Sequence, residues 1–212
     1  MKRWIRSVFV LLILLSFGGG KVRAQDFGVK MFYNFARTAW INPTGSEFHE
    51  EYANKYSLGP YLELRFILHL SVSAEFLLAK KGGIISLPGL KGQEYRLTYL
   101  SFPFMLNLYV YPVGTVQLFV SGGLEYSRLM KGVIFDLDLE TEVQERLGSK
   151  LRKTDVSYLF GFGFLIDLDI TKVRLEGRYS VSLRDFVLPQ FLAEGESLKN
   201  RLVSFGISIK LN

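Results

Sequence analysis

The chain has 212 residues, with 26 Lys+Arg, 20 Asp+Glu and two His, for a formal charge of +6. Hydrophobic residues make up 49% and aromatics 15%, yet no run approaches the ~18 apolar residues of a membrane helix. Zero cysteines exclude a disulfide framework, a Cys-ligated zinc or iron–sulfur centre, a thiol nucleophile and a lipid anchor on sulfur.

The N-terminus reads as a secretory signal over residues 1–24. Lys2, Arg3 and Arg6 precede an apolar run from Val8 to Leu15, and Val22-Arg23-Ala24 offers small or apolar residues before a cut between Ala24 and Gln25. The apolar run is too short to anchor the chain across ~30 Å of hydrocarbon. The segment holds five basic residues and no acid, so the mature chain carries 21 basic and 20 acidic residues. The basic excess therefore belongs to targeting, and a nucleic-acid partner loses its support.

From Gln25 to the end, apolar and polar residues alternate with a period of two. Strands are expected near 28–36, 56–67, 70–81, 95–110, 115–130, 155–168, 172–184 and 201–212. The last is the clearest: Val203, Phe205, Ile207, Ile209 and Leu211 share one face, and Ser204, Gly206, Ser208 and Lys210 share the other. The eight strands exceed the usual ~5–6 residues and are long enough for a tilted bilayer crossing. Connections alternate as well. Short ones fall at Leu68-His69, at residues 111–114 and at residues 169–171, and long ones cover 37–55, 82–94, 131–154 and 185–200. This is the plan of an all-β, eight-stranded antiparallel up-and-down transmembrane barrel, with tight turns on one rim and loops on the other. A bulky, almost uninterrupted apolar face and a polar face of charges and small residues suit lipid outside and packed side chains inside. Tyrosines at strand ends, such as Tyr109 and Tyr111 or Tyr56, Tyr126 and Tyr158, suit interfacial girdles. The first strand, 28–36, is the shortest of the set and closes the barrel against the last.

Face parity assigns an inward set of charges: Lys30, Arg65, Arg174, Arg178 and Lys210 against Glu63, Glu75, Glu125, Asp167 and Glu176. Matched numbers point to a paired, hydrogen-bonded structural network filling the barrel. A narrow pore or proton path is the functional alternative. The third loop carries Asp136, Asp138, Glu140 and Glu142 on one parity, which suits a salt-bridged hairpin (Glu140 with Lys150, Asp138 with Arg152), a short helix or, more sharply, a calcium site. The fourth loop, with Phe186, Val187, Leu188, Phe191 and Leu192, either packs across the mouth or meets a partner. His49 and His69 lack a serine or carboxylate partner at a telling spacing, so no catalytic, cofactor or metal site is assigned.

Several segments in order resemble the PorT-like outer-membrane β-barrel family of Bacteroidetes type. They are Gly28-Val29-Lys30-Met31-Phe32, Gly59-Pro60-Tyr61-Leu62-Glu63, Ser73-Ala74-Glu75-Phe76, Lys80-Lys81-Gly82, residues 97–103, Gly122-Gly123-Leu124-Glu125-Tyr126 and Arg178-Tyr179-Ser180. The resemblance covers the whole mature chain, 25–212. It implies an eight-stranded barrel in the cell outer membrane, with lipid as its surroundings and mostly without assigned biochemical activity; the function expected of this chain is a structural or binding role with loops facing outside. For some members it also implies partners in a protein secretion or assembly system.

Overall fold

The structure is a computed structural model and describes residues 23–41, 49–86, 92–110, 112–137, 141–143, 151–168, 170–192 and 194–211. The expected signal segment falls almost wholly outside the described residues. The strands in chain order are β1 (Arg23–Ile41), β2 (His49–Glu51), β3 (Ala53–Ile67), β4 (Leu70–Glu75), β5 (Leu77–Lys81), β6 (Ile84–Ser86), β7 (Gln93–Tyr109), β8 (Val116–Asp136), β9 (Thr141–Val143), β10 (Thr154–Asp167), β11 (Lys172–Ser182) and β12 (Ser197–Leu211).

β4 and β5 form one stave, interrupted only at Phe76, whose N–H bonds the Pro60 carbonyl at 3.0 Å. The long strands then number eight. Each pairs antiparallel with its sequence neighbour, and β1 pairs with β12 from Phe27↔Leu211 to Ile41↔Ser197. The sheet therefore closes on itself, leaving no long edge whose N–H and C=O groups would stand unpaired in lipid. The short strands β2, β6 and β9 continue the wall at the loop rim.

The first strand departs from expectation. It is not the shortest but runs 19 residues, because residues 36–41 keep pairing with 197–202 of β12. β8 likewise continues six residues past its expected end. A β-bulge accompanies that extension: Thr98 pairs with Lys131 and Tyr99 with Leu129, which leaves Met130 as the extra residue. Beyond the bulge the inward parity of β8 changes, and a Cβ at Gly132 would lie 2.3 Å from Leu151 Cδ1.

Burial runs opposite to that of a water-soluble barrel. On β12, Ser204 and Ser208 are buried while Phe205, Ile207 and Ile209 are exposed, and Phe162 on β10 is 63% exposed. Each large apolar side chain left in water forgoes ~1.5–3 kcal/mol of burial, so a continuous belt of them marks a face built for lipid. Glycines on the inner wall give room to bulky neighbours. A Cβ at Gly206 would lie 2.3 Å from the Phe32 ring, and one at Gly163 would lie 2.1 Å from the Leu175 carbonyl and 2.8 Å from the Phe119 ring.

Candidate functional site: the charged interior and its apolar lid

Period-two parity sends the polar residues of every stave into one narrow tube, where they stack in three tiers. At mid-height, Arg178 of β11 grips Glu75 of β4 with both guanidinium ends, Nη1 to Oε2 and Nη2 to Oε1, each at 2.9 Å. The same Nη2 donates to Glu176 Oε1 at 2.7 Å, and Lys30 of β1 bridges Glu75 at 2.6 Å and Glu176 at 3.3 Å. Two cations face two carboxylates, all within 6% exposure. The Phe32 ring lies 4.5 Å from the Arg178 guanidinium.

Toward the turn rim, Arg174 bonds Glu63 at 2.6 Å and also donates to the Tyr109 hydroxyl. Glu63 further accepts from Tyr109 at 2.6 Å and from Ser71 at 2.5 Å. Arg65 stacks 4.3 Å over the Tyr109 ring, and Phe119 backs Arg174 at 4.4 Å. Toward the loop rim, the Lys81 ammonium sits 2.5 Å from Glu125, 3.4 Å from Asp155 and 3.2 Å from the Ser127 hydroxyl. Ser182 donates to Asp155 at 2.7 Å.

Above that tier lies an apolar layer: Ile85, Leu97, Tyr99, Leu151, Phe186 and Leu198, all buried together. The fourth loop supplies its centre. Phe186 is 2% exposed, packs edge-on against Tyr95 at 5.6 Å, and is tied on both sides by Phe186 N–H to Leu198 O (3.0 Å) and Arg152 N–H to Phe186 O (2.7 Å). Asp185 fastens the same corner by accepting from Ser197 Oγ at 2.5 Å and from Leu198 N–H at 2.8 Å. Of the two roles open to this loop in the sequence, Phe186 takes packing across the mouth.

The sequence-assigned charges separate by height. Lys30, Glu63, Glu75, Glu125, Arg174, Glu176 and Arg178 are buried in the tiers, and Arg65 is half-buried beside Tyr109. Asp167 is a correction: its side chain is 51% exposed at the turn rim and pairs with Lys172 at 3.1 Å, because it is the last residue of β10. Lys210 stands near the same rim, 2.7 Å from Asp26. Lys81, Asp155 and Asp26 are absent from the set assigned by parity, although each shares the inward parity of its strand; Asp26 lies before the expected start of the first strand at residue 28. With these placements, and with the buried Lys55–Glu94 pair at the loop rim, the described interior holds seven cations (Lys30, Lys55, Arg65, Lys81, Arg174, Arg178, Lys210) and seven carboxylates (Asp26, Glu63, Glu75, Glu94, Glu125, Asp155, Glu176). Balance of this kind offsets the desolvation that lone buried charges would suffer.

At the loop rim beyond the apolar band, Glu94 accepts from Arg96 Nε at 2.7 Å and from the Lys55 ammonium. Burial raises the Glu94 pKa, but hydrogen bonds from Arg96 and Lys55 outweigh it and hold the carboxyl below the usual carboxylate range. His69 sits at the β3–β4 turn with Nδ1 3.1 Å from the Tyr109 carbonyl, and His49 opens β2. In the third loop, β9 pairs with β8, so the hairpin does extend. Residues 138–140 and 144–150, which carry its proposed ion pairs, lie outside the described residues, and Arg152 Nε donates to the Asp185 carbonyl.

A closed antiparallel barrel with lipid-suited walls and a charge-filled core defines a transmembrane β-barrel. Residues 23–187 match the family model described as outer membrane protein beta-barrel domain, and the chain belongs to that family. Family membership implies residence in an outer membrane. No match is found among the curated proteins. Among solved structures the chain is similar to Neisserial surface protein A, at 12% identity and TM-score 0.49, over 89% of this chain and 100% of that one. It is also similar to Ail, the attachment invasion locus protein of Yersinia pestis, in complex with the heparin analogue sucrose octasulfate, at 11% identity and TM-score 0.46, over 88% and 99%. A third is the outer membrane protease OmpT of Escherichia coli, at 10% identity and TM-score 0.41, over 88% and 96%.

Proposed function

We propose that this protein is a closed, non-catalytic barrel that acts by presenting its loop rim to the outside of the cell, and that neither a pore nor a reaction centre operates inside it. The observation that carries this reading is the stack of paired charges beneath an apolar lid. Every carboxylate of the mid-height and loop-side tiers is engaged by an ammonium or guanidinium, and Phe186 closes the mouth above them. A hydrated path would need charges held by water rather than by one another. In this reading residues 1–24 export the chain and are removed before Gln25, a cut that takes only Arg23 and Ala24 from the end of β1. Planar bilayers containing the purified barrel should stay electrically silent; steady unitary currents would overturn the closed reading. Impermeant labelling of intact cells should reach cysteines placed at Glu194 but not at Ile170, and the reverse pattern would invert the orientation.

The ordered segments that resemble PorT-like barrels support a second reading, in which the loop rim docks on a secretion or assembly partner. Pull-down from outer membrane in mild detergent should then recover a stoichiometric envelope protein, and recovery of lipid alone would count against it.

A further inference from the structure

We propose that the outer wall at the loop rim carries a binding site for a membrane lipid whose headgroup bears two phosphates, held by Lys80, Arg96 and Lys131. The proposal rests on the membrane assignment above but not on which rim faces out, and it concerns the wall rather than the interior.

The site is built by register. Lys80 pairs with Thr98, and Thr98 with Lys131, so three adjacent staves present ammonium, hydroxyl and ammonium in one outward row. The Lys80 ammonium lies 4.2 Å over the Tyr56 ring, which extends the row onto a fourth stave. Arg96 stands one outward step further toward the rim, 4.1 Å over the Phe135 ring. These side chains line a cavity of about 400 Å³ in the wall.

Charge and surroundings name the ligand. The carboxylate in the cavity, Glu94, is already committed to Lys55 and Arg96. Among the described residues Lys80 and Lys131 have no carboxylate partner, so the cavity keeps a positive excess. The Lys80 and Lys131 backbone positions are two staves apart, roughly 10 Å at the usual strand spacing, and the Lys80 ammonium leans away onto Tyr56, a span for two phosphates rather than one. Directly toward the membrane lies an apolar row on β3, β5 and β7, Leu58, Leu78 and Leu100, joined by register, with Arg128 continuing it on β8. Cations above a leucine wall match a headgroup with acyl chains below it, where a free anion would gain nothing from the leucines. Among the described residues, Arg128, Lys153, Arg184 and Arg201 are also exposed around this rim, whereas turn-rim charges pair as Asp167–Lys172 and Asp26–Lys210.

Native mass spectrometry of the purified barrel in non-ionic detergent tests the site, with diphosphorylated lipid A as probe. The wild type should retain the lipid, and K80Q/K131Q should bind about ten-fold more weakly or worse, since two charge-assisted contacts are lost. K153Q, elsewhere on the rim, should bind like the wild type. Monophosphorylated lipid A should bind the wild type more weakly, and raising salt from about 0.05 M to about 0.5 M should release the diphosphorylated form. Heat-modifiable gel mobility checks that each variant is folded; should K80Q/K131Q not fold, the headgroup and salt comparisons on the wild type decide. Equal retention of phosphatidylcholine, displacement by millimolar inorganic phosphate, binding insensitive to salt, or unchanged binding by folded K80Q/K131Q would each overturn the proposal. A conducting barrel would sink the closed reading above and leave this site untouched.

Discussion

Arg178 is the side chain on which the interior depends most. It supplies four hydrogen bonds to Glu75 and Glu176, and Lys30 alone cannot replace the bidentate geometry. Replacing it with Met leaves two buried carboxylates sharing one ammonium, and we expect a loss of about 3–5 kcal/mol in urea unfolding from lipid vesicles. Adding Glu75→Gln and Glu176→Gln to Arg178→Met should recover part of that loss, since the uncompensated charge is then removed. An Arg178→Met barrel with the wild-type midpoint would refute the network. At the loop rim, Glu94 gives a pH prediction. Its folded pKa lies below its unfolded value, so its contribution is present above the unfolded value and lost as pH falls through the folded one. Acidification below about pH 4 should therefore lower the hydrogen-exchange protection factors at the start of β7, taken relative to the intrinsic rate at each pH, and Glu94→Gln should show the lowered protection at every pH. An unaltered pH response in Glu94→Gln would exclude Glu94 as its source. Asp155 and Asp167 show what parity can and cannot reveal. Both share the inward parity of β10, but one binds Lys81 inside while the other faces solvent at the turn. A period of two identifies a face and carries no information about height along the barrel.

At the level of the element, the staves follow from alternation, and the tight turn at 112–115 from Gly and Pro chemistry. Gly114, with φ of +61°, sits in a turn closed by Val113 and Val116, where the left-handed region suits a residue without Cβ. The loop-side extensions of β1, β8 and β12 were not legible in the same way. The end of β1 is a strand because it pairs with residues some 160 positions away, and no local pattern in Ala36, Thr38 and Ala39 announces that partner. The bulge at Met130 shifts parity within an otherwise regular strand, so the inward set beyond it could not be read by counting in twos. Two glycines on opposite faces of the wall, Gly163 inside and Gly122 outside, give a paired test. Gly163→Ala sets a methyl against the Leu175 carbonyl and the Phe119 ring, and should cost about 1–3 kcal/mol and slow assembly. Gly122→Ala meets no atom nearer than 4.0 Å and should fall within about 0.5 kcal/mol of the wild type. Equal effects at the two positions would remove the packing explanation.

For the whole molecule, the question is how many layers separate one rim from the other. The mouth is shut by Phe186 and its neighbours. Below them lies the Lys81–Glu125–Asp155 tier, then the Lys30–Glu75–Glu176–Arg178 tier, then Arg174 with Glu63 and Tyr109. These layers share no side chain, so removing one does not remove the next. Phe186→Ala should lower stability by about 3–5 kcal/mol through the cavity it leaves. It should nevertheless pass no current in planar bilayers, because the charged tiers beneath it stay paired. Phe186→Ala with Lys81→Met should also stay silent: it frees Glu125 and Asp155 to hydrate the upper lumen, but the mid-height tetrad still fills the cross-section. Only variants that additionally dissolve both the tetrad and the tier below it, such as the quadruple change with Arg178→Ala and Arg174→Ala, have a continuous route for water. A current from Phe186→Ala alone would show that the lid orders the tiers below it, and that the interior is one cooperative gate rather than a stack of independent seals.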